Sequence, residues 1–342
     1  PRLPLWASCP GGGEPEAAAE LAALGWRPWT GAPPRADLPR GTSAGLLWER
    51  GSVYGEADLA AVYRTLWAGR TVSRVTWLLY AGSCDSLDEL YEVVRGLDLG
   101  WLPDAPFAVV PERHGEHAFG SPDIGRVAGA AVIDAVRAAT GRRLPVNLDR
   151  PAVAVRVELA GARLRVGLEL VEESLHRRPY QVVRHHAGLK PTVAAILLLL
   201  AGWRPHERLL DPMCGAATIP LEAALAALRR PLRLDPPARL ETLGLHDPRL
   251  AAEVGDALRA AERPAAGLRI LGLERFANHV ASARRNARAA GLEGVVEIRQ
   301  GDATTLAGVE GTFDCVVTNP PYGIRAGRPA ILDPLYAGAL AR

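Results

Sequence analysis

Lysine is almost missing from this 342-residue chain: its 40 basic residues include the single lysine Lys190, and the others are arginines. Arginine is the better residue for planar contacts with phosphates and bases, but a bias in genomic composition explains the same skew. The net charge is only +2. The arginine content by itself therefore does not identify a nucleic-acid-binding protein.

Cysteine is also scarce. The four residues lie far apart, with no C-x-x-C pair and no histidine at metal-ligand spacing. His114 and His117 are three residues apart, but no third ligand accompanies them. We therefore predict no metal site, and reduced thiols in a cytosolic, cytoplasmic protein. The four residues are Cys9, Cys84, Cys214 and Cys315.

Long apolar runs are absent as well. The longest, Val193–Trp203, is too short to cross a bilayer. Pro4, Pro10 and three glycines interrupt the start of the chain, which is unlike a secretory signal. With 48% hydrophobic and 23% charged residues, the composition is that of a globular protein with room for two or three domains. We predict no membrane association, and nothing in the sequence indicates an oligomeric state.

The first hundred residues alternate short apolar strands with amphipathic helices. This alternation favours a ferredoxin-like α+β domain over residues 1–100, with its helices on one face of a sheet. The predicted strands are Leu3–Ser8, Ala44–Glu49 and Arg74–Tyr80, and the predicted helices are Glu14–Leu24, Asp58–Trp67 and Leu87–Arg95.

A second α+β domain is predicted over residues 101–180, followed by a linker over 181–205 that contains a helix. Ser121 is expected to cap the domain's long helix, with Asp123 in the first turn. The predicted strands are Pro106–Pro111, Ala152–Glu158 and Arg163–Leu170, and the predicted helices are Ser121–Thr140 and Pro191–Trp203.

From residue 206 to residue 342 the pattern changes to strand, glycine-containing turn and helix, which is typical of βαβ units around a parallel sheet. A long segment rich in proline, arginine and alanine, 229–267, interrupts the pattern. The predicted strands are Arg208–Asp211, Leu268–Glu274, Val295–Arg299 and Phe313–Thr318, and the predicted helices are Thr218–Leu228 and His279–Ala290.

The tetrapeptide Asn319-Pro320-Pro321-Tyr322 follows the last of these strands. An exocyclic amine conjugated to its ring is a poor nucleophile because its lone pair is delocalised. The amide oxygen of Asn319 and the carbonyl of Pro320 can accept its two hydrogens, while the ring of Tyr322 stacks on an extruded base. The two prolines stiffen the segment. Asn-Pro is also ordinary turn chemistry, but the motifs upstream favour methyl transfer to a nucleobase amine.

Three upstream features end the preceding strands. The turn 211–218 precedes a helix, where free N–H groups can hold a polar ligand and Gly215 lets the backbone approach it. Glu274 ends the second strand, where acids in doubly wound folds commonly bind ribose hydroxyls. Asp302 ends the third and can accept a hydrogen bond from an adenine amine. Each could instead cap a helix or turn, but their order along one sheet edge favours a ligand site.

This ordered set resembles the class I S-adenosylmethionine-dependent methyltransferases that carry an (Asn/Asp)-Pro-Pro-Tyr motif. The resemblance implies a Rossmann-like α/β fold with S-adenosyl-L-methionine as cofactor. It also implies that the donor's methionine part rests on the turn at Gly215, its ribose on Glu274 and its adenine near Asp302. The implied cofactor-binding residues are Asp211, Pro212, Cys214, Gly215, Thr218, Glu274, Asp302, Ala303 and Asn319, and the implied catalytic residues are Asn319, Pro320, Pro321 and Tyr322.

The segments 113–124 and 174–180 resemble the THUMP RNA-binding domain of guanine-N2 methyltransferases, and the whole resemblance covers nearly the entire chain. It implies a tRNA substrate and RNA contacts from the second domain. The arginines in these segments are also compatible with an ordinary solvated face. The implied RNA-binding residues are Arg113, His117, Arg177, Arg178 and Lys190.

Three departures from the family pattern affect the expectations. Ala217 adds a methyl group where the backbone can require left-handed geometry. Pro179 and Gln181 replace a usual glycine and arginine. The chain ends about twenty residues past the tetrapeptide, so we expect a methyltransferase domain that is incomplete at its C-terminus.

We therefore expect a tRNA guanine-N2 methyltransferase. A ribosomal-RNA guanine-N2 methyltransferase shares every motif cited, so the type of RNA stays open at this point. An adenine-N6 methyltransferase is less favoured, because the THUMP-like segments indicate structured RNA. A non-catalytic RNA-binding protein on a methyltransferase scaffold is the alternative from another class.

Overall fold

The computed structural model describes residues 2–30, 40–184, 188–321, 333 and 337–338. Contacts divide the chain into two compact units, and neither is a continuous stretch of sequence. The first unit comprises 1–66, 72–174 and 235–254, and the second comprises 67–71, 175–234 and 255–342.

A mixed eight-stranded sheet forms the centre of the first unit, in the order β2-β3-β4-β1-β5-β8-β7-β6. Neighbouring strands run antiparallel except for β6 and β7, which are parallel. The strands are β1 Leu3–Ser8, β2 Arg40–Ser43, β3 Leu46–Glu49, β4 Ser52–Ala57, β5 Arg74–Ser83, β6 Phe107–His114, β7 Val153–Ala160 and β8 Arg163–Glu169.

This sheet continues across the boundary predicted at residue 100. β5 pairs with β8 along most of its length, so the strands predicted for two domains belong to one sheet. The sequence pattern located β1, β3, β5, β6, β7 and β8 to within a few residues but missed β2 and β4. The pairing of β5 with a strand about ninety residues later has no local signature.

Among the described residues before 141, the helices are α1 Glu14–Ala23, α2 Leu59–Ala68, α3 Leu87–Arg95 and α4 Ser121–Thr140. The prediction that Ser121 caps α4 is wrong, because Ser121 is the first helical residue and Gly120 holds the N-cap position. The Asp123 carboxylate accepts a hydrogen bond from Gly120 N at 3.0 Å. Gly141 ends the helix in the left-handed conformation.

One face of this sheet buries charged side chains instead of only apolar ones. The guanidinium groups of Arg156 and Arg165 lie 4.0 and 4.2 Å from the centroid of the Trp6 ring. Arg165 also pairs with Glu158, and Arg156 pairs with Glu112 at 2.7 Å. These pairs compensate charges that would otherwise be costly away from water.

The second unit contains a four-stranded parallel sheet in the order β11-β10-β9-β12. All three pairings are parallel, as the alternating pattern predicts. The strands are β9 Leu209–Asp211, β10 Ile270–Glu274, β11 Val296–Gln300 and β12 Cys315–Val316, and the helices between residue 191 and residue 289 are α5 Pro191–Leu200, α6 Thr218–Ala227, α7 Ala238–Thr242, α8 Pro248–Ala260 and α9 Ala277–Ala289.

The core of this unit lies against α6. Nine of the ten α6 residues are buried, which explains why this helix carries apolar residues on all sides. Ala194 of α5, Ala283 of α9 and Ile298 of β11 belong to the same apolar cluster. None of the described helices is both long and apolar enough to cross a membrane.

The segment 229–267, whose role the sequence does not indicate, contains α7 and α8. Within the first unit, His246 Nδ1 lies 2.8 Å from the hydroxyl of Tyr63, which also accepts a hydrogen bond from Asp247 N at 2.9 Å. The Asp247 carboxylate accepts from Arg249 N and Leu250 N at the start of α8. This part of the segment is thus anchored by specific polar contacts.

Arg178 was predicted to contact RNA, but the structure buries it completely. Its guanidinium pairs with Glu222, which is also fully buried, at 3.1 Å. Other N–H groups of the same guanidinium donate to the carbonyl oxygens of Leu175 and Arg70. Tyr180 donates to the same Glu222 carboxylate at 2.8 Å, and burial raises the Tyr180 pKa well above its usual value. Arg178 therefore stabilises the second unit and does not meet a ligand.

Replacing Arg178 by alanine should destabilise the protein strongly, because Glu222 would remain buried without its partner. We expect the free energy of unfolding to fall by about 3–5 kcal/mol. Arg177→Ala is the matched control, since its exposed neighbouring side chain should contribute less than about 0.5 kcal/mol. Urea denaturation of both variants checks this, and equal losses would contradict the assignment.

Candidate functional site

Parallel pairing brings the predicted site residues to one edge of the second sheet. β9 lies between β10 and β12, and β11 pairs with β10, so the carboxyl ends of all four strands point the same way. Asp211, Glu274, Asp302 and Asn319 each end or follow one of these strands. Ligands in open α/β sheets bind at this edge, where connections diverge to the two faces.

The turn after β9 is held by its own backbone and by β10. Cys214 N donates to Leu273 O at 2.8 Å, and Ala217 N donates to Cys214 O at 2.7 Å. Gly215 has a φ of +53°, and among the described residues, apart from Gly215 and its two chain neighbours, no heavy atom lies within 4 Å of the position that a Cβ would take there. The turn therefore presents open backbone at Gly215, as a close approach by a ligand requires.

Gly272 allows this turn to lie close to β10. A Cβ at Gly272 would lie 2.9 Å from Cys214 Sγ and 3.3 Å from Pro220 Cγ. Sequence reasoning missed this residue, although a glycine inside a buried strand is a signal for the close approach of another segment.

Ala217 adopts the left-handed conformation, with φ +64° and ψ +29°, while fully buried. The concern that this alanine occupies a position suited to glycine is thus confirmed. The preceding carbonyl, Ala216 O, accepts from Asn286 Nδ2 at 3.3 Å. Asn286 is buried in α9 and also bonds both N and O of Val183. It anchors the turn, and sequence reasoning missed it because an asparagine inside a helix has no distinctive pattern.

Glu274 connects the turn to the end of β10. One carboxylate oxygen accepts from Gly215 N at 3.0 Å, and the other accepts from Phe276 N at 3.0 Å and lies 3.5 Å from His279 Nδ1. Because a carboxylate oxygen can accept more than one hydrogen bond, Glu274 retains capacity for a ligand hydroxyl. The adjacent Phe276 is exposed at the same edge, and sequence reasoning did not single it out.

Asp302 is fixed in the connection after β11. Its Oδ1 accepts from Thr304 N at 2.9 Å and from Thr304 Oγ1 at 2.7 Å. These two hydrogen bonds lower the pKa of Asp302, with a smaller contribution from the Arg275 guanidinium. Asp302 is therefore an ionised acceptor at neutral pH, and the neighbouring Ala303 is buried.

The segment after β12 is half-buried at Asn319, Pro320 and Pro321, whereas Tyr322 lies outside the described residues. Thr318 donates to Asp211 Oδ1 at 2.7 Å, and Met213 N donates to the same oxygen at 3.2 Å. Burial raises the pKa of Asp211 to about 7, although both hydrogen bonds lower it. The predicted cofactor-binding residues Pro212 and Cys214 lie in the turn after β9, and Thr218 is the first residue of α6.

The predicted RNA-binding residues are placed differently from one another. Arg113 is exposed and donates to Gly115 O, while His117 Nε2 lies 2.9 Å from Gly161 O, both in the first unit. Arg177 and Lys190 are exposed in the second unit. Four of the five thus remain candidates for RNA contacts, and only Arg178 is withdrawn.

Within the described part of the chain, one group of side chains has the spacing of a metal site: Glu112, His114 and Glu158, on β6 and β7. Both carboxylates are already paired with arginine, because Arg156 lies 2.7 Å from Glu112 and 3.3 Å from Glu158. Neutralised carboxylates favour an internal ion network over a divalent cation. The expectation of no metal therefore stays a prediction.

Two family models match the chain. The model described as RMKL-like, methyltransferase domain, matches residues 178–342, and the THUMP domain model matches residues 84–169. A protein of Archaeoglobus fulgidus named tRNA (guanine(6)-N2)-methyltransferase is 38% identical over 84% of this chain and 69% of its own length. This chain belongs to the tRNA (guanine-N2)-methyltransferase family.

Further similarities agree with this family. A Methanocaldococcus jannaschii protein with the same name is 35% identical over 84% of this chain and 76% of its own length. The ribosomal RNA large subunit methyltransferase K/L of Chromohalobacter salexigens is 33% identical over 98% of this chain, but over 45% of its own length. The fold matches that of SMU.472, a putative methyltransferase solved with SAH, at a TM-score of 0.80 and 23% identity, over 98% of this chain and 85% of that one.

The edge of the second sheet fits the methyl donor of this family. Gly215 leaves open space beside the turn, Glu274 has free acceptor capacity, and Asp302 stays ionised. The THUMP model begins at residue 84 and the methyltransferase model at residue 178, upstream of the domain boundaries expected at residues 101 and 206. The donor would therefore be held by residues at the ends of β9, β10 and β11.

Ala217→Gly should relieve backbone strain, whereas Ala223→Gly in the middle of α6 should add flexibility to a regular helix. Both changes remove one buried methyl group, so their difference reports the backbone alone. We expect Ala217→Gly to be more stable than Ala223→Gly by about 1–2 kcal/mol. Thermal denaturation measures this, and the reverse order would refute the strain at Ala217.

Asp211 should make stability depend on pH. Its folded pKa of about 7 lies above 3.8, the value of an aspartate in an unfolded chain, so the folded state binds the proton more tightly. Stability from this group is complete below about pH 4 and is lost as pH rises toward 7. Asp211→Asn should remove that part of the slope, by a few kcal/mol at most, since each pKa unit is worth about 1.4 kcal/mol. Urea titrations at pH 4.5, 6 and 7.5 test this, and parallel curves for both proteins would contradict it.

Proposed function

We propose that this protein transfers a methyl group from S-adenosyl-L-methionine to the exocyclic N2 amine of a guanosine in tRNA. The observation that carries the proposal is the position of Asn319-Pro320-Pro321, which begins three residues after the end of β12 at Val316. β12 pairs with β9, the strand that leads into the turn with Gly215. Membership of the tRNA (guanine-N2)-methyltransferase family supports both the reaction and the substrate.

The donor side of the site is formed by the ends of β9, β10 and β11. The turn at Gly215 accommodates the amino-acid part of the cofactor, Glu274 accepts from its ribose hydroxyls, and Asp302 accepts from its adenine amine. When bound, S-adenosylmethionine supplies an activated methyl group on a positively charged sulfur. The buried edge with its carboxylates favours that positive charge.

On the acceptor side, Asn319 and Pro320 orient the amine. The Asn319 amide oxygen and the Pro320 carbonyl accept its two hydrogens, so that the nitrogen lone pair points toward the donor. Pro321 restricts the backbone of Pro320. The aromatic ring of Tyr322, which lies outside the described residues, would stack on the extruded guanine. Positioning of this kind accounts for most of the rate enhancement that such a transfer needs.

RNA binding would use the THUMP region and basic residues of both units, of which Arg113, Arg177 and Lys190 are exposed and His117 is half-buried. Arg113 and His117 in the first unit, with Arg177 and Lys190 in the second, would contact phosphates and recognise the shape of the RNA more than its sequence. A cytoplasmic location fits this substrate and the free state of the four cysteines.

A ribosomal RNA substrate is less favoured, because the ribosomal RNA methyltransferase K/L of Chromohalobacter salexigens is 33% identical to this chain, whereas the two tRNA methyltransferases are 38% and 35% identical. A non-catalytic scaffold is opposed by the retained Asn319, Pro320 and Pro321 and by the open turn at Gly215.

Two variants separate cofactor binding from methyl transfer. Glu274→Ala should weaken binding of S-adenosylhomocysteine about 10–100-fold, because hydrogen bonds to a carboxylate are lost. Asn319→Ala should bind it normally but transfer methyl to tRNA at least about 100-fold more slowly. Titration calorimetry and a tritiated-methyl assay on tRNA transcripts measure the two effects.

Glu297→Ala, which removes an exposed carboxylate of β11 away from this edge, serves as the control and should change neither measurement. Transfer to a ribosomal RNA transcript in preference to tRNA would replace the proposed substrate. Undiminished turnover by Asn319→Ala would exclude the proposed orientation of the amine.

A further inference from the structure

The backbone ladder between β9 and β12 stops just before the acceptor motif. Cys315 pairs with Leu209, Val316 pairs with Leu210, and Val317 N donates to Leu210 O at 3.0 Å. Beyond this point the turn after β9 leads into α6, while the segment after β12 continues into Asn319. The turn that would hold the methyl donor and the segment that would hold the guanine amine therefore separate after the backbone hydrogen bond from Val317 N to Leu210 O.

A side chain extends the connection by one residue. The Thr318 hydroxyl donates to Asp211 Oδ1 at 2.7 Å. The same oxygen accepts from Met213 N, inside the cofactor turn, at 3.2 Å. A single carboxylate oxygen thus contacts both the turn that carries Gly215 and the residue that precedes Asn319.

The surroundings make this contact a strong constraint. Asp211 is almost completely buried, so its carboxylate has little access to water that could replace a lost hydrogen bond. Threonine is branched at Cβ and has few rotamers, so a bond through its hydroxyl also restricts the adjoining backbone. No other described side chain donates to the Asp211 carboxylate.

We propose that Thr318 is a positioning residue for methyl transfer: its hydroxyl, held by Asp211, fixes Asn319 relative to the cofactor turn. This inference rests on the proposed function, because it concerns the distance between the methyl donor and the amine. Thr318 would act through Asn319 and would itself contact neither reactant. Misplacement of well-aligned groups by about 1 Å can reduce a rate about 100-fold, so even a small shift is measurable.

The test compares Thr318→Val with Thr318→Ser in the full chain. Valine keeps the branched shape and removes the donor, whereas serine keeps the donor and removes the methyl group. We expect Thr318→Val to lower kcat for tRNA about 10–100-fold, with KM and the Kd for S-adenosylhomocysteine changed less than about 3-fold. Thr318→Ser should recover most of the lost kcat.

Different outcomes overturn different statements. A wild-type kcat in Thr318→Val would refute the positioning role while leaving the proposed reaction intact. So would an equal loss in Thr318→Ser, because a hydroxyl at this position would then not be sufficient to hold Asn319 in place. A parallel loss of cofactor binding in Thr318→Val would mean a structural role only. If the wild-type chain binds S-adenosylhomocysteine but methylates no tRNA, the proposed function fails and the positioning role fails with it.

Discussion

The parallel pairing of β9 with a strand on each side is the constraint on which the site depends. It places the turn of residues 211–218 next to the end of β10 and the start of the acceptor motif, although these segments are about 60 and 110 residues apart in sequence. Within this sheet, hydrogen bonds to two carboxylates fix the position of the turn. Glu274 holds the turn from one side and Asp211 links it to Thr318 on the other. The site is therefore assembled from short contacts between strand ends.

Buried charge is used in two different ways. Arg178 and Glu222 compensate each other, and the Tyr180 hydroxyl completes the set, so this cluster needs no ligand. Asp211 accepts hydrogen bonds but forms no ion pair with a cation among the described residues, and burial raises its pKa. A carboxyl group left in this state lies where the methyl donor, which carries positive charge, is expected to bind. The first arrangement stabilises the unit, and the second suits a ligand site.

Sequence reasoning succeeded where the signal is local. Strand ends followed by Asp211, Glu274 and Asp302 are visible in the order of residues, and so was the conflict between Ala217 and its backbone geometry. It failed where the outcome depends on which face a residue occupies. Arg177 and Arg178 are adjacent and chemically identical, yet one is exposed and the other buried. Gly272, Asn286 and Thr318 act through partners far along the chain, which no window of sequence contains.

The order of the segments in the two units has a consequence for synthesis on the ribosome. The first unit includes residues 235–254, and the second includes 67–71. The first unit therefore cannot complete its contacts until about sixty residues of the second have been made. A chain that ends at residue 254 keeps the whole first unit but also carries residues 67–71 and 175–234 of the second, so neither unit can be produced alone by simple truncation. Separating them would require joining distant segments, as in a circularly permuted or spliced chain.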